Sequence, residues 1–224
     1  DTARYERVRG HALRKDISII TYGAHKDAQW RLVEFCSATG AAHYQTPYGA
    51  LRMALIAGAR HQAINAVGCL ACLDAAGEDW RRAATLLQDW SPPAGRGVAF
   101  YVAAAPSGQA MIVDDAFNAA PIAMVAAAQS LAAAQHARRR VLVLGEMLEL
   151  GENSHAIHRR LAEAIAELAI EGVHGVGEAY CDFWAALPDH QRGAYHTRRE
   201  DLQADLHHRM RDGDVWWFKG AHGS

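Results

Sequence analysis

Apolar positions change their rhythm several times along the first hundred residues. Ile17–Tyr22 is a nearly continuous apolar run closed by Gly23 and reads as a buried strand. Gln29–Cys36 alternates apolar and polar residues and reads as a half-exposed strand, with Thr39-Gly40 as a turn signal. Leu51–Ile56 alternates again and would complete a small sheet. The period then lengthens. Ile64, Val67, Leu70 and Leu73 recur at three-residue spacing, predicting a helix from Arg60 to about Ala76 with Gly77 as its stop. A second helix is expected over 79–90. Ser91-Pro-Pro-Ala-Gly95 is the clearest linker in the chain.

The second half alternates more regularly. Ala110–Asp114 and Arg140–Leu144 are apolar runs of strand length, and Val173–Val176 is a third. Helices are expected over 121–135, where Pro121 occupies the first turn, and over 154–171, where Ile157, Leu161, Ile165 and Leu168 share a face. The 154–171 helix is expected to stop at Gly172. Another helix, a weak strand near Tyr195, a helix over 201–211 and a last run, Asp214–Phe218, complete the series. Buried strands alternating with helices predict an α/β fold, an open parallel sheet covered on both faces. Ligands of such sheets bind beyond the carboxyl ends of the strands. The residues to read are therefore Asp114–Asn118, Gly145–Glu149, Gly177 and Lys219–Ser224.

Composition narrows the function. Half of the 224 residues are hydrophobic and 21% are charged, which excludes a mainly disordered chain. No apolar run reaches the roughly 18 residues that span a bilayer. The formal net charge of −2 gives no basic field for nucleic acid, so neither a nucleic-acid nor a membrane partner is expected. No secretory leader is recognisable and four cysteines make no disulfide framework, so a cytoplasmic location is expected. Lysine occurs only at positions 15, 26 and 219, and none follows glycine, so this sequence contains no GxxxxGK[ST] phosphate loop.

Candidate chemistry collects at the strand ends. Asp114, Asp115 and Asn118 could hold ribose hydroxyls, a hydrated Mg²⁺ or a phosphate; equally they could cap the next helix. Glu146 and Glu149 could meet a substrate amine or a metal, or be solvated turn residues. His155 and His158 have metal-ligand spacing, but no further ligand is evident nearby in sequence, and no metal site is expected. Cys69 and Cys72 match CxxC inside an apolar helix and read as small core residues. His61 and Asn65 open a helix where an anion or nucleotide could bind. Arg96 lies in the linker, within reach of phosphates or simply solvated. Lys219 ends the last strand, either as a partner for phosphate or carboxylate or as a snorkelling surface cation.

Taken in order, these segments resemble the Mur ligase family. Val143–Gly151 (VLGEMLELG) with Ser154 and His158 resembles LGDMLELG…S…H, and Asp115–Met124 (DAFNAAPIAM) resembles DSYNANPxSM. Gly58–Ala66 resembles GxHNxxNA, Gly95–Gly97 matches GRG, Lys219–Ser224 resembles KGSRG, and Ile20–Gly23 resembles ITFG. Ala116, Phe117, Ala120 and Ala123 depart from the pattern's Ser, Tyr, Asn and Ser, Gln62 replaces Asn, and Ala221-His222 replaces Ser-Arg.

The resemblance implies that residues 1–96 are the end of a central ATPase-type domain. It implies that residues 97–224 are a Rossmann-like C-terminal ligase domain. The activity it implies is ATP-dependent ligation of a carboxylate to an amine through an acyl phosphate. The implied substrates are UDP-MurNAc-tripeptide and D-Ala-D-Ala, and the implied cofactors are ATP and Mg²⁺. The phosphate loop and most Mg²⁺ ligands would lie in an N-terminal half outside this sequence, leaving the chain inactive alone. By motif, His61, Asn65, Arg96, Asp115, Phe117 and Asn118 would contact nucleotide. Glu146, Glu149, His158, His222 and Ser224 would face substrate, and Lys219 would be the catalytic cation. Two alternatives remain: a divergent ligase for another amine, and a non-catalytic nucleotide- or partner-binding module.

Overall fold

Trp30 is fully buried, and the first unit of the chain is built around it. The computed structural model describes residues 4–36, 39–55, 60–206 and 208–221. The chain divides between Ser91 and Pro92 into two units. In the first, α1 (Tyr5–Arg14) precedes β1 (Tyr22–Gly23), β2 (Trp30–Phe35), β3 (Ala41–Thr46) and β4 (Gly49–Ala54), which form a sheet in that order. β1 runs parallel to β2, and the other pairs are antiparallel. Helices α2 (Arg60–Ala75) and α3 (Trp80–Leu86) close the core, and the Asp79 carboxylate caps α3 by accepting from the Arg81 and Arg82 amides. Trp30 meets Trp80 edge-on at 5.1 Å, and the Tyr44 hydroxyl donates to the Ala63 carbonyl at 3.1 Å. Burial pushes the Tyr44 hydroxyl pKa up to about 12.

Two expectations for this unit fail. Ile17–Tyr22 is not a buried strand. Only Tyr22–Gly23 pairs, at the sheet edge, and Ile17, Ile20 and Tyr22 are 54%, 42% and 47% exposed. An apolar run gives a segment the capacity for burial but supplies nothing to cover it. Cys69 and Cys72 are exposed, because α2 turns Ala63, Val67 and Leu70 inward and carries the thiols on its outer side. The β3 strand and α1 were not legible from the pattern. Ile56, at the end of the expected third strand, lies outside the described residues.

The second unit is a six-stranded sheet in the order β5-β6-β10-β7-β8-β9. The strands are β5 (Val98–Ala103), β6 (Gln109–Asp115), β7 (Arg139–Leu144), β8 (Gly172–Val176), β9 (Arg192–His196) and β10 (Asp214–Lys219). All pairs are parallel except β5 with β6, the antiparallel edge. The period-2 alternation of β7 sorts its side chains. Leu142 and Leu144 pack with α4 (Pro121–Ala132), α5 (Ser154–Ala166) and α6 (Tyr180–Ala186). Val141 and Val143 face the opposite core, with Trp216 and α7 (Arg199–Leu206). The sheet is thus covered on both faces, as the alternating runs predict.

Several helices are shorter than their periodicity suggests. α5 stops at Ala166, not at 171, and Gly172 opens β8 rather than ending a helix. Ile170 enters the core at 3% exposure, and the Gln191 side-chain amide donates to the carbonyls of Leu168 and Ile170, which helix bonds would otherwise involve. α3, α4 and α7 also end several residues before the expected 90, 135 and 211. β5, an edge strand whose six apolar residues are all exposed or half-buried, had no clear signal.

His174 on β8 is 4% exposed, stacks on Trp216 at 5.4 Å, and accepts the Ala194 N–H on Nδ1 at 2.8 Å. Burial, and then the Arg209 and Arg139 charges, hold its pKa down from 6.5 to about 4. The folded ring is neutral where the unfolded ring is already charged, so stability is complete above pH 6.5 and is lost as pH falls towards 4. The loss attributable to this ring is about 3 kcal/mol. Urea unfolding across that window should show it in the parent chain, and His174→Leu should flatten the dependence by that amount.

Candidate functional site

β10 lies between β6 and β7, so three carboxyl ends converge at the centre of the sheet. Lys219 on β10 is in direct register with Asp115 on β6 and Leu144 on β7. That placement puts its side chain under the loop that leaves β6. Lys219 is 5% exposed. Its Nζ lies 3.0 Å from Asp115 Oδ2 and donates to the Asp115 carbonyl at 3.2 Å and the Asn118 carbonyl at 2.9 Å. An ammonium has three protons, and these three oxygens match them. Lys219 is therefore not a snorkelling surface cation: its ammonium is buried and holds the 115–118 loop through these three oxygens.

The segment before β5 closes on the same loop. Gly95 N–H donates to Asp114 Oδ2 at 3.0 Å, Gly97 N–H to the Asp114 carbonyl at 2.8 Å, and Phe117 N–H to the Gly95 carbonyl at 3.0 Å. Gly95 has φ +75°, and a Cβ there would stand 3.1 Å from the Phe117 Cβ, so glycine is required. The Arg96 guanidinium consequently lies over the Phe117 ring, 3.8 Å from its centroid. Arg96, Phe117 and Asn118 are all exposed, side by side at the sheet's carboxyl edge. The structure thus joins the GRG, DAFNAAP and KG segments, whose outermost members are more than a hundred residues apart in sequence.

The loop after β7 is built differently. His158 is fully buried; Nε2 accepts the Met147 N–H at 3.2 Å and Nδ1 faces the Ser154 carbonyl at 2.8 Å. These contacts suit Nε2 as acceptor and Nδ1 as donor. His158 supports the loop from beneath and is completely buried there. Tyr180 donates to the Gly145 carbonyl at 3.1 Å, and burial holds its hydroxyl pKa well above the usual value. Glu146 accepts the Ala179 N–H on Oε1 at 2.6 Å. A Cβ on Gly177 would run into the Glu146 side chain, so Gly177 makes room for this contact. Glu149 is exposed at φ +61°.

His61 and Asn65 are exposed on the first turns of α2, in the first unit. His222 and Ser224 lie outside the described residues, as do Gly58 and Ala59 of the expected helix-opening motif. Sequence reasoning missed a cavity of about 560 Å³ on the α7 side of the carboxyl edge. Val143, Val176, Leu202 and Phe218 form apolar wall, while Arg199, Gln203 and Lys219 are its polar side chains. Arg199 carries no motif; only its place in the first turn of α7, after β9, could have marked it.

The carboxylates bear on magnesium. Asp115 is paired with Lys219, and Asp114 accepts from Gly95 and Ala116. These pairings leave no cluster of uncommitted carboxylates at this loop that fits a resident Mg²⁺. Among the described residues, no helix is long and apolar enough to cross a membrane.

Comparison with known proteins gives one family. The domain described as "Mur ligase, glutamate ligase domain" matches residues 100–222. The UDP-N-acetylmuramoyl-tripeptide--D-alanyl-D-alanine ligase of Rickettsia prowazekii is 28% identical over 164 residues, covering 73% of this chain and 35% of that protein. The crystal structure of MurF from Acinetobacter baumannii matches with a TM-score of 0.81 at 23% identity, over 99% of this chain and 47% of that one. MurF from Thermotoga maritima in complex with ADP matches with a TM-score of 0.75 at 22% identity, over 96% of this chain and 48% of that one. The chain thus spans less than half the length of these relatives.

Removing the buried ammonium should loosen the carboxyl edge. Lys219→Met leaves Asp115 and two carbonyls without their donor, so urea unfolding should show a loss of about 3 kcal/mol. Glu149→Gln, at an exposed position, should stay within about 0.5 kcal/mol of the parent.

Proposed function

The chain belongs to the Mur ligase family, and we propose that it forms the C-terminal part of an ATP-dependent ligase that joins D-Ala-D-Ala to UDP-MurNAc-tripeptide in peptidoglycan precursor synthesis. The observation that carries this reading is the meeting of Gly95–Gly97, Asp115–Asn118 and Lys219 at one carboxyl edge. The name of the Rickettsia relative supports the choice of substrates, and the resemblance of the strand-end motifs to the family's supports the choice of residues. The cytoplasm, where nucleotide-linked precursors and ATP are available, is the location this reading requires.

In the reaction, the γ-phosphoryl group of ATP passes to the substrate carboxylate, releasing ADP. The amine of the dipeptide then attacks the acyl phosphate and loses its proton. The tetrahedral intermediate expels inorganic phosphate and leaves the amide. The chain's own residues have defined tasks in this scheme. Arg96, fixed on Phe117, offers a guanidinium to phosphate oxygens. Asp115, held through Oδ2 by Lys219, offers its other oxygen to a ribose hydroxyl. Phe117 and Asn118 flank the nucleotide. Glu146 and Glu149 stand on the substrate side, with His158 holding their loop. The lined cavity beside Lys219 suits a small dipeptide, with Arg199 available to its carboxylate. Magnesium would offset charge on the transferring phosphoryl group, its ligands lying mainly in the N-terminal half of such an enzyme.

The test uses the native gene product, assayed for ADP release and product formation with both substrates present. Arg96→Ala and Asp115→Ala should lower kcat/KM about 100-fold. Cys69→Ala, on the outer side of α2, should stay within about twofold. Equal and mild effects in all three, or ADP release that ignores the dipeptide, would contradict the proposal.

A further inference from the structure

α5 and α6 follow β7 and β8, so their first turns stand side by side at the carboxyl edge of the sheet. His155 is in the first turn of α5; Cys181 and Asp182 are in the first turn of α6. His155 Nδ1 lies 3.2 Å from Asp182 Oδ2 and 3.9 Å from Cys181 Sγ. The nitrogen, sulfur and oxygen donors all lie within 4.8 Å of one another, and all three residues are exposed. None of them takes part in the motifs assigned to ligation.

This donor set is that of a borderline-soft divalent ion: imidazole, thiol and carboxylate together suit Zn²⁺ far better than Mg²⁺ or Ca²⁺. The spacing agrees. Tetrahedral zinc with ordinary bond lengths separates a nitrogen and an oxygen ligand by about 3.4 Å, and a nitrogen and a sulfur ligand by about 3.5 Å. The observed 3.2 and 3.9 Å need adjustments of a few tenths of an ångström, which exposed side chains make freely. The Asp182 carboxylate and the Cys181 sulfur approach the same nitrogen from neighbouring positions, so the three donors converge on one point.

We propose that His155, Cys181 and Asp182 form a surface binding site for a Zn²⁺-class cation, with water as the fourth ligand. The thiol loses its proton to the solvent as the metal–sulfur bond forms. The site does not depend on the ligase assignment, because it requires only these three side chains and the α5–α6 packing that brings them together.

Cobalt(II), titrated alone into the purified chain, tests the proposal. The expected result is a thiolate-to-cobalt charge-transfer band that saturates at one equivalent and disappears on adding Zn²⁺. The band should persist when Cys36, Cys69 and Cys72 are all replaced by serine, and vanish in Cys181→Ser. His155→Ala should weaken Zn²⁺ binding at least about tenfold, with circular dichroism confirming that each variant remains folded. Absence of the band, its survival in Cys181→Ser, or unchanged Zn²⁺ affinity in His155→Ala would each overturn the site.

Discussion

A single buried ammonium organises the carboxyl edge of the second unit. Lys219 ends the central strand β10, and its three donors are matched by Asp115 Oδ2 and the carbonyls of Asp115 and Asn118. A charge at 5% exposure is tolerable only when its hydrogen bonds are met, and here the loop after β6 meets them. The converse also holds: carbonyls that point inward at a strand end need a donor, and Lys219 supplies it. The loop's exposed side chains, Phe117 and Asn118, are thereby presented outward on a fixed backbone. Arg96 follows, because the Gly95 and Gly97 hydrogen bonds tie its segment to Asp114.

The neighbouring loop is held by a separate set of contacts of the same kind. His158, Tyr180 and Glu146 each bond backbone groups of the 145–147 loop or of the turn into α6. These contacts remove freedom from the loops, and in the proposed ligation a site so fixed avoids reorganising as the phosphoryl group transfers. The two faces of the sheet are packed independently, one by α4 to α6 and the other by α7, leaving the cavity beside Lys219 on the α7 side.

The parallel core strands were legible because Ala110–Asp114, Arg140–Leu144 and Asp214–Phe218 are short apolar runs between helical periods. β3 and β5 were not. Ala41–Thr46 is rich in small and polar residues, and Val98–Ala103 is an edge strand with little burial to select its pattern. Ile17–Tyr22 shows the opposite error, since apolar character alone does not reveal whether a neighbour covers it. At the candidate site, motif order singled out strand ends that the fold brings together, but the partners of Lys219 were hidden. Its partners are 101 and 104 residues away, and only the β6–β10 register brings them together. For the same reason His155 seemed to lack further metal ligands, because Cys181 lies 26 residues on and on another helix.

In the proposed ligase, Lys219 acts through the 115–118 loop and not by direct contact with the nucleotide. A double-mutant cycle of Lys219→Met and Asp115→Asn in the native gene product, read as kcat/KM for ATP, tests it most directly. If the lysine works through the loop, the double variant should be little worse than the more damaged single variant. Strictly additive losses would mean that Lys219 and Asp115 act on the reaction independently, and would contradict the account.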